Sequence, residues 1–249
     1  MLKMRNIGKL LLLLGICLFS AKTLAQTDST LQPFTAKYQL SRGNMLIGKV
    51  TNTLRLEKGG NYTYTSITKP VGIVAAFSSD LITEISQGQI KHKQVMPLIY
   101  TYEHKRKKRP KFRKQQFNWN NNKLSILAPK PQLSIDITKD TQDKASMVLA
   151  MMRAIPFDAD SIKITVADKK KLKEYLISKQ GIEQIRAGGS DYNSVKLGVS
   201  KAGEKPSTRF WLAPELNYLP VQIEKLEKKK TYTMTLVEYS AGQPAPVKK

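Results

Sequence analysis

Few side chains in this 249-residue sequence are placed to do chemistry. The two histidines, His92 and His104, lie in basic surroundings, and neither belongs to a metal-binding spacing. Carboxylates are sparse, 19 Asp and Glu against 42 Lys and Arg. Asp140 with Asp143, or Glu84 with Glu103, are the pairs able to share acid–base work. Helix capping and surface solvation account for the same four residues without any reaction. Gly188-Gly189-Ser190 lacks the lysine of a phosphate-binding loop. No G-x-S-x-G elbow accompanies a parallel α/β pattern. No cofactor motif stands out. The one cysteine, Cys17, falls in the leader described below, which leaves the rest of the chain without thiolate or disulfide chemistry. The balance points to binding rather than catalysis, with an envelope glycan- or lipid-modifying enzyme as the least favoured reading.

Charge is the strongest compositional signal, a formal +23. Eight of ten residues from 105 to 114 are basic: Lys105, Arg106, Lys107, Lys108, Arg109, Lys111, Arg113 and Lys114. The run lies between two apolar strand patterns, the setting of a hairpin tip. One reading is an anion-contacting finger, with Phe112 able to dip into an interface. The other is a solvated loop whose like charges discourage edge-to-edge pairing. The expected partners are an anionic membrane surface or lipopolysaccharide, and an amphiphilic ligand. Nucleic acid is set aside because the chain carries an export leader.

That leader is residues 1–25. Lys3, Arg5 and Lys9 precede a short apolar run at 10–19, and Thr23-Leu24-Ala25 offers a cleavage site. The apolar run is too short to span a membrane, which takes about 20 residues. Ile16 before Cys17 argues against a lipoprotein signal. The expected location is the periplasm.

Elsewhere the period is two. Phe34, Ala36, Tyr38 and Leu40 share a face, as do Val50, Leu54 and Leu56, then Tyr62 and Tyr64. The last third predicts a three-stranded meander around the turn Ala213–Asn217, with Leu219, Val221 and Ile223 alternating against polar neighbours. Gln87-Gly88 reads as a turn. The apolar stretch 70–79 reads as a plug in the core, or else as a cap over the sheet's end. One helix is expected, at about 140–153, capped by Asp140 or Thr141, with Asp143 in its first turn. Its Met147, Met151 and Met152 suit a core stripe or an adaptable ligand surface. The fold class is mainly β, a strongly curved antiparallel meander or half-open barrel with one packed helix. A single domain over 26–240 and a disordered tail at 241–249 complete the expected organisation.

Several pieces in order resemble the domain-of-unknown-function 3108 family of exported bacterial proteins. They are Phe34-Thr-Ala-Lys-Tyr38, Gly48, Pro97-Leu-Ile-Tyr-Thr-Tyr102, Phe117-Asn-Trp119, Gln142-Asp143-Lys-Ala-Ser146, Phe210-Trp-Leu-Ala-Pro214 and Tyr218-Leu-Pro220-Val221. The basic run at 105–114 departs from that pattern. The resemblance implies a β-rich extracytoplasmic fold, with no catalytic residues to carry over. Such proteins are similar to the LolA/LolB-like lipoprotein carriers, whose curved sheet closes around an apolar cavity lidded by a helix. That analogy implies a cavity lined by Phe34, Tyr38, Leu54, Tyr64, Trp119, Trp211 and Ile223, with Met147 and Met151 facing it from the helix. The function it implies is a non-catalytic amphiphile carrier. The alternative is an envelope adhesion module with a fully packed core.

Overall fold

The structure, a computed structural model, describes residues 31–77, 80–91, 94–127, 133–154, 160–201 and 203–244. The leader 1–25, His92, residues 128–132 and most of the C-terminal tail therefore lie outside the described residues.

Alternating apolar residues build fourteen strands. The first eight are β1 (Phe34–Arg42), β2 (Met45–Leu56), β3 (Asn61–Pro70), β4 (Leu81–Lys91), β5 (Gln94–Lys105), β6 (Lys111–Asn118), β7 (Lys123–Leu127) and β8 (Leu133–Asp136). The remaining six are β9 (Ser161–Asp168), β10 (Lys171–Ala187), β11 (Ser190–Lys201), β12 (Thr208–Ala213), β13 (Leu219–Glu227) and β14 (Lys230–Ala241). Among the described residues two α-helices interrupt them, α1 (Gly72–Phe77) and α2 (Ser146–Ala154). All strands join one antiparallel sheet in the order β8-β7-β6-β5-β4-β3-β2-β1-β14-β13-β12-β11-β10-β9. It is a meander curled into a half-open barrel, with β8 and β9 as its free edges, as the sequence pattern predicts.

Side chains close the curl where strand pairing does not. The Tyr38 hydroxyl donates to the Pro220 carbonyl at 3.0 Å, linking β1 to β13 past the strand between them. The Gln115 amide of β6 reaches the Ala167 and Lys169 carbonyls at 3.4 and 3.3 Å, by the β9 edge. Gln142 pairs parallel to β9, its N–H donating to Thr165 O and its C=O accepting from Ala167 N–H. The Gln142 side chain donates to the Val95 carbonyl at 2.9 Å. The segment ahead of α2 thus covers one exposed edge and stitches it to β5.

Helix α2 then lies across the concave face. Leu149 and Met152 enter a core cluster with Phe34, Tyr38, Leu54, Tyr64 and Leu124. Met151 enters a second cluster with Ile164, Val199, Phe210 and Leu212. The helix therefore belongs to both cores, the reach expected of apolar residues at helical spacing.

Three expectations need correction, and one strand was not anticipated. Helix α2 begins at Ser146 rather than near 140, because Asp143 caps it, while Thr141 closes the preceding turn by accepting from Thr138 N–H at 3.0 Å. Gly88 lies inside β4, at a register shift opposite Pro97, and not in a turn. Glycine marks close backbone approach as readily as a turn. The short strand β8 was hidden behind two prolines. Helix α1 is no core plug: none of its residues is buried, and Phe77 is 86% exposed.

Candidate functional site

Helix α2 meets the second half of the sheet over an apolar cleft of about 180 Å³. Met147 lines it from the helix. Val166, Tyr175, Val199 and Phe210 line it from four successive strands, β9 to β12, brought side by side by the meander. Lys144, Asp168 and Lys225 stand at the polar part of the lining. Burial pushes the Asp168 carboxyl up, but the hydrogen-bonded Lys173 ammonium, with Lys144 and Lys169 nearby, brings it below the usual carboxylate range. Asp168 is thus an anion already engaged by Lys173. Lys225 holds Glu227 at 2.8 Å with both side chains half exposed, a contact weak enough to be exchanged for a ligand anion. The chemistry on offer is an apolar slot with ammonium groups beside it.

A second cleft, of about 260 Å³, lies at the other end of α2 among Val95, Lys139, Asp140, Gln142, Arg153 and Ile164. Both are smaller than the roughly 300–1,000 Å³ usual for small-molecule sites. They suit a chain end or a short tail.

The start of α2 is anchored by a buried carboxylate. Asp143 Oδ1 accepts from the N–H groups of Ala145 and Ser146 at 2.8 and 2.7 Å, and Asp143 N–H donates to Ser146 Oγ at 2.9 Å. This is a reciprocal cap. Oδ2 accepts from the Ser86 hydroxyl at 2.6 Å, and Ser86 shares a 3.0 Å hydrogen bond with the Tyr62 hydroxyl. With the Ser86 proton committed to Asp143, Tyr62 must be the donor. Burial raises the Asp143 pKa to about 6, and the Ser86, Ser146 and Ala145 hydrogen bonds offset only part of that rise. Burial also drives the Tyr62 and Tyr100 hydroxyls well above their ordinary range, with Asp143 and, for Tyr100, Glu84 adding to the effect. The network holds the lid helix against the sheet.

The other carboxylates do not assemble into a pair. Asp140 is exposed while Asp143 is enclosed. Glu84 accepts the Tyr100 hydroxyl and stands opposite Tyr102, whereas Glu103, next along β5, falls on the other face and pairs with Lys105 at 3.7 Å. Among the described residues no group of three or more His, Cys, Asp or Glu is arranged to hold a metal ion.

Of the residues expected to line a cavity, Phe34, Tyr38, Leu54, Tyr64, Trp119 and Trp211 fall in or against one core cluster. They pack on one another: Phe34 meets Tyr64 edge-on at 6.4 Å, and Trp119 stacks on Phe117 at 5.7 Å while donating to Pro97 O at 2.8 Å. Met151 and Ile223 belong to the other cluster or pack on it. Trp211 points to the face opposite Phe210, where its indole donates to Glu183 at 2.7 Å and Lys196 lies over the ring. Met147 alone of the nine is found in the lining of either cleft. Lys144, Val166, Tyr175, Val199, Phe210 and Lys225 are not among the site residues expected from the sequence.

The basic run forms the expected hairpin between β5 and β6. Its tip is closed by Arg106 donating to Arg109 O at 2.7 Å, with Lys107, Lys108, Arg109 and Lys111 exposed. Arg113 instead turns back over the Tyr102 ring at 5.3 Å, and Lys114 is half-buried in β6. The finger is thus shorter than its sequence run.

A family model described as a protein of unknown function, DUF3108, matches residues 34–237, from the first strand to the last. The chain belongs to the DUF3108 family. Among solved structures, the DUF3108 chain is similar to a β-barrel-like protein of domain of unknown function DUF1849 from Brucella abortus, at 10% identity and a TM-score of 0.55. The likeness covers 86% of this chain and 99% of that one. At that identity it speaks for the fold alone, a β-barrel-like sheet. No curated protein matches.

Proposed function

We propose that this DUF3108 chain is an exported, non-catalytic binding protein for an amphiphile with an anionic head. The observation that carries the reading is the cleft under α2, where Met147, Val166, Val199 and Phe210 offer an apolar slot beside Lys144 and Lys225. An apolar tail gains about 25 cal/mol for each Å² it removes from water, and an ammonium partner adds a charge-assisted contact for the head. Because the slot is small, a longer tail enters only if α2 moves off the sheet. The leader pattern of residues 1–25 supports placing the protein in the periplasm, where such ligands are found.

Titration with a fluorescent medium-chain fatty acid tests this. Binding should saturate, and the uncharged methyl ester should bind about tenfold more weakly, the worth of one charged contact. Lys144→Gln with Lys225→Gln should erase that preference. Met147→Trp, which fills the slot, should weaken acid and ester alike. Unsaturable binding, or a preference untouched by the lysine changes, contradicts the proposal.

A second reading rests on the packing of Phe34, Tyr38, Leu54 and Tyr64, all almost fully enclosed. A filled concave face suits an envelope adhesion module that acts through its basic surface. Such a module binds neither acid nor ester.

A further inference from the structure

The end of the sheet that carries α1 presents an arrangement the cleft does not explain. Among the described residues eight large apolar side chains are exposed, and five of them, Met45, Leu46, Ile73, Phe77 and Phe112, gather at this one end. The topology brings them together. Helix α1 connects β3 to β4. On one side Val71 N–H donates to Ile47 O at 3.2 Å, tying α1 to the start of β2 beside Met45 and Leu46. On the other, Asp80 lies 3.2 Å from His104, without the alignment of a hydrogen bond, and Leu81 stands opposite Lys105 at the base of the basic hairpin.

The helix carries no polar side chain, yet it faces solvent. Ile73 and Phe77 are four residues apart, on one face, and that face looks outward, 66% and 86% exposed. Only Val74 of α1 is partly covered. Six residues are too few to hold a helix by themselves, so the neighbouring strands hold these two side chains out. Around the apolar knob stand Arg42, Lys69 and the Lys105–Lys111 tip, while of the nearby carboxylates Glu103 pairs with Lys105 and Asp80 stands beside His104.

We infer that this end of the barrel docks on an anionic lipid bilayer, with Phe77 and Ile73 entering the boundary between headgroups and acyl chains and the Lys105–Lys111 tip resting on lipid phosphates. Charge complementarity selects this occupant. A second copy would bring like charges against like, on a chain of formal charge +23. A glycan or other soluble polyanion has no use for a projecting phenyl ring. A bilayer uses both: apolar insertion and attraction to anionic lipid add in surface-bound proteins. The inference is independent of the cleft and survives if no amphiphile binds there.

Co-sedimentation with vesicles of phosphatidylcholine alone, or mixed with phosphatidylglycerol, tests it on the intact chain. The protein should pellet with the mixed vesicles and remain in solution with the neutral ones. Ile73→Ser with Phe77→Ser should weaken binding about tenfold or more, and Lys107→Gln, Lys108→Gln and Arg109→Gln together should do likewise. All five positions lack buried partners, so unchanged thermal melts should accompany these losses. A Phe77→Trp variant should shift its emission to the blue on mixed vesicles, read as a difference from the parent chain. Parent-like binding by the serine variant would reduce the effect to general charge attraction and overturn the inference. So would an unshifted emission from the Phe77→Trp variant, or a parent chain that ignores both vesicle types and docks only to protein.

Discussion

Above pH 6, Asp143→Asn should unfold at a higher denaturant concentration than the parent chain. The parent carboxyl titrates at about 6 in the fold, against an ordinary 3.8. Between roughly pH 4 and 6 the folded state holds a proton that the unfolded state has released, so stability falls as pH rises through this window. A gap of about two units corresponds to roughly 3 kcal/mol, fully developed above pH 6 and absent below about pH 4. Asparagine carries no charge, caps a helix as well as aspartate, and can satisfy Ser86 with its amide if the Ser86–Tyr62 hydrogen bond reverses. Asp143→Ala has no such recourse. It strands the buried N–H groups of Ala145 and Ser146 and the Ser86 hydroxyl, and should fall about 2–4 kcal/mol below the asparagine variant at any pH. Urea unfolding at pH 4, 5, 6 and 8 measures all three chains. A parent-to-asparagine difference that does not change with pH would show that Asp143 is not the buried anion described.

Gly88→Ala should be the more damaging of two glycine substitutions, by a wide margin. A Cβ built at Gly88 would run into the Met96 carbonyl oxygen and lie 2.8 Å from both Pro97 Cα and a Tyr62 ring carbon. Two of those neighbours are backbone of β5, which cannot retreat without losing its register with β4. The third belongs to the tyrosine bonded to Ser86. A cost of about 3 kcal/mol or more is expected, at or beyond the upper end for overpacking, and the chain could fail to accumulate. Gly59→Ala is the control: its φ is +76 but nothing lies within 4 Å, so only the roughly 1–2 kcal/mol of left-handed strain applies. Equal losses at the two sites, by urea midpoint, would contradict the close approach of β4 and β5.

The contrast between these glycines explains much of what could be read in advance. Gly59 and Gly60 carry a turn signal that holds, because the turn they make between β2 and β3 is local. Gly88 gave the same signal for a contact made with another strand, which one sequence does not display. Strand patterns such as Phe34–Leu40 and Leu219–Ile223 were legible because alternation is a local property with period two. The helix start was misplaced because Asp140, Thr141 and Asp143 are all competent caps; burial against Ser86 decided among them. Composition gave α1 its apolar character and nothing about which way it faces.

The candidate site was hidden for a related reason. Its lining comes from residues as far apart as Lys144 and Lys225, with one or two contributions from each of β9 to β13 and no recurring spacing among them. Met147 was found because the helical stripe singled it out, while the Phe34–Trp211 set was assigned to a cavity and is packed as core. The two faces of β12 show how fine the distinction is: Phe210 opens onto the cleft, and Trp211, its neighbour, falls on the other face in the core cluster that holds Phe34 and Tyr38.

If the proposed reading holds, an amphiphile occupies the slot beneath α2. Native mass spectrometry of the chain recovered from the cells that make it, followed by lipid extraction of the same sample, tests this. A population heavier than the polypeptide by one amphiphile is expected, released on extraction and lost or reduced in the Lys144→Gln, Lys225→Gln variant. A bare polypeptide mass, unchanged after incubation with anionic lipids and the same in parent and variant, would contradict it and favour the packed adhesion module.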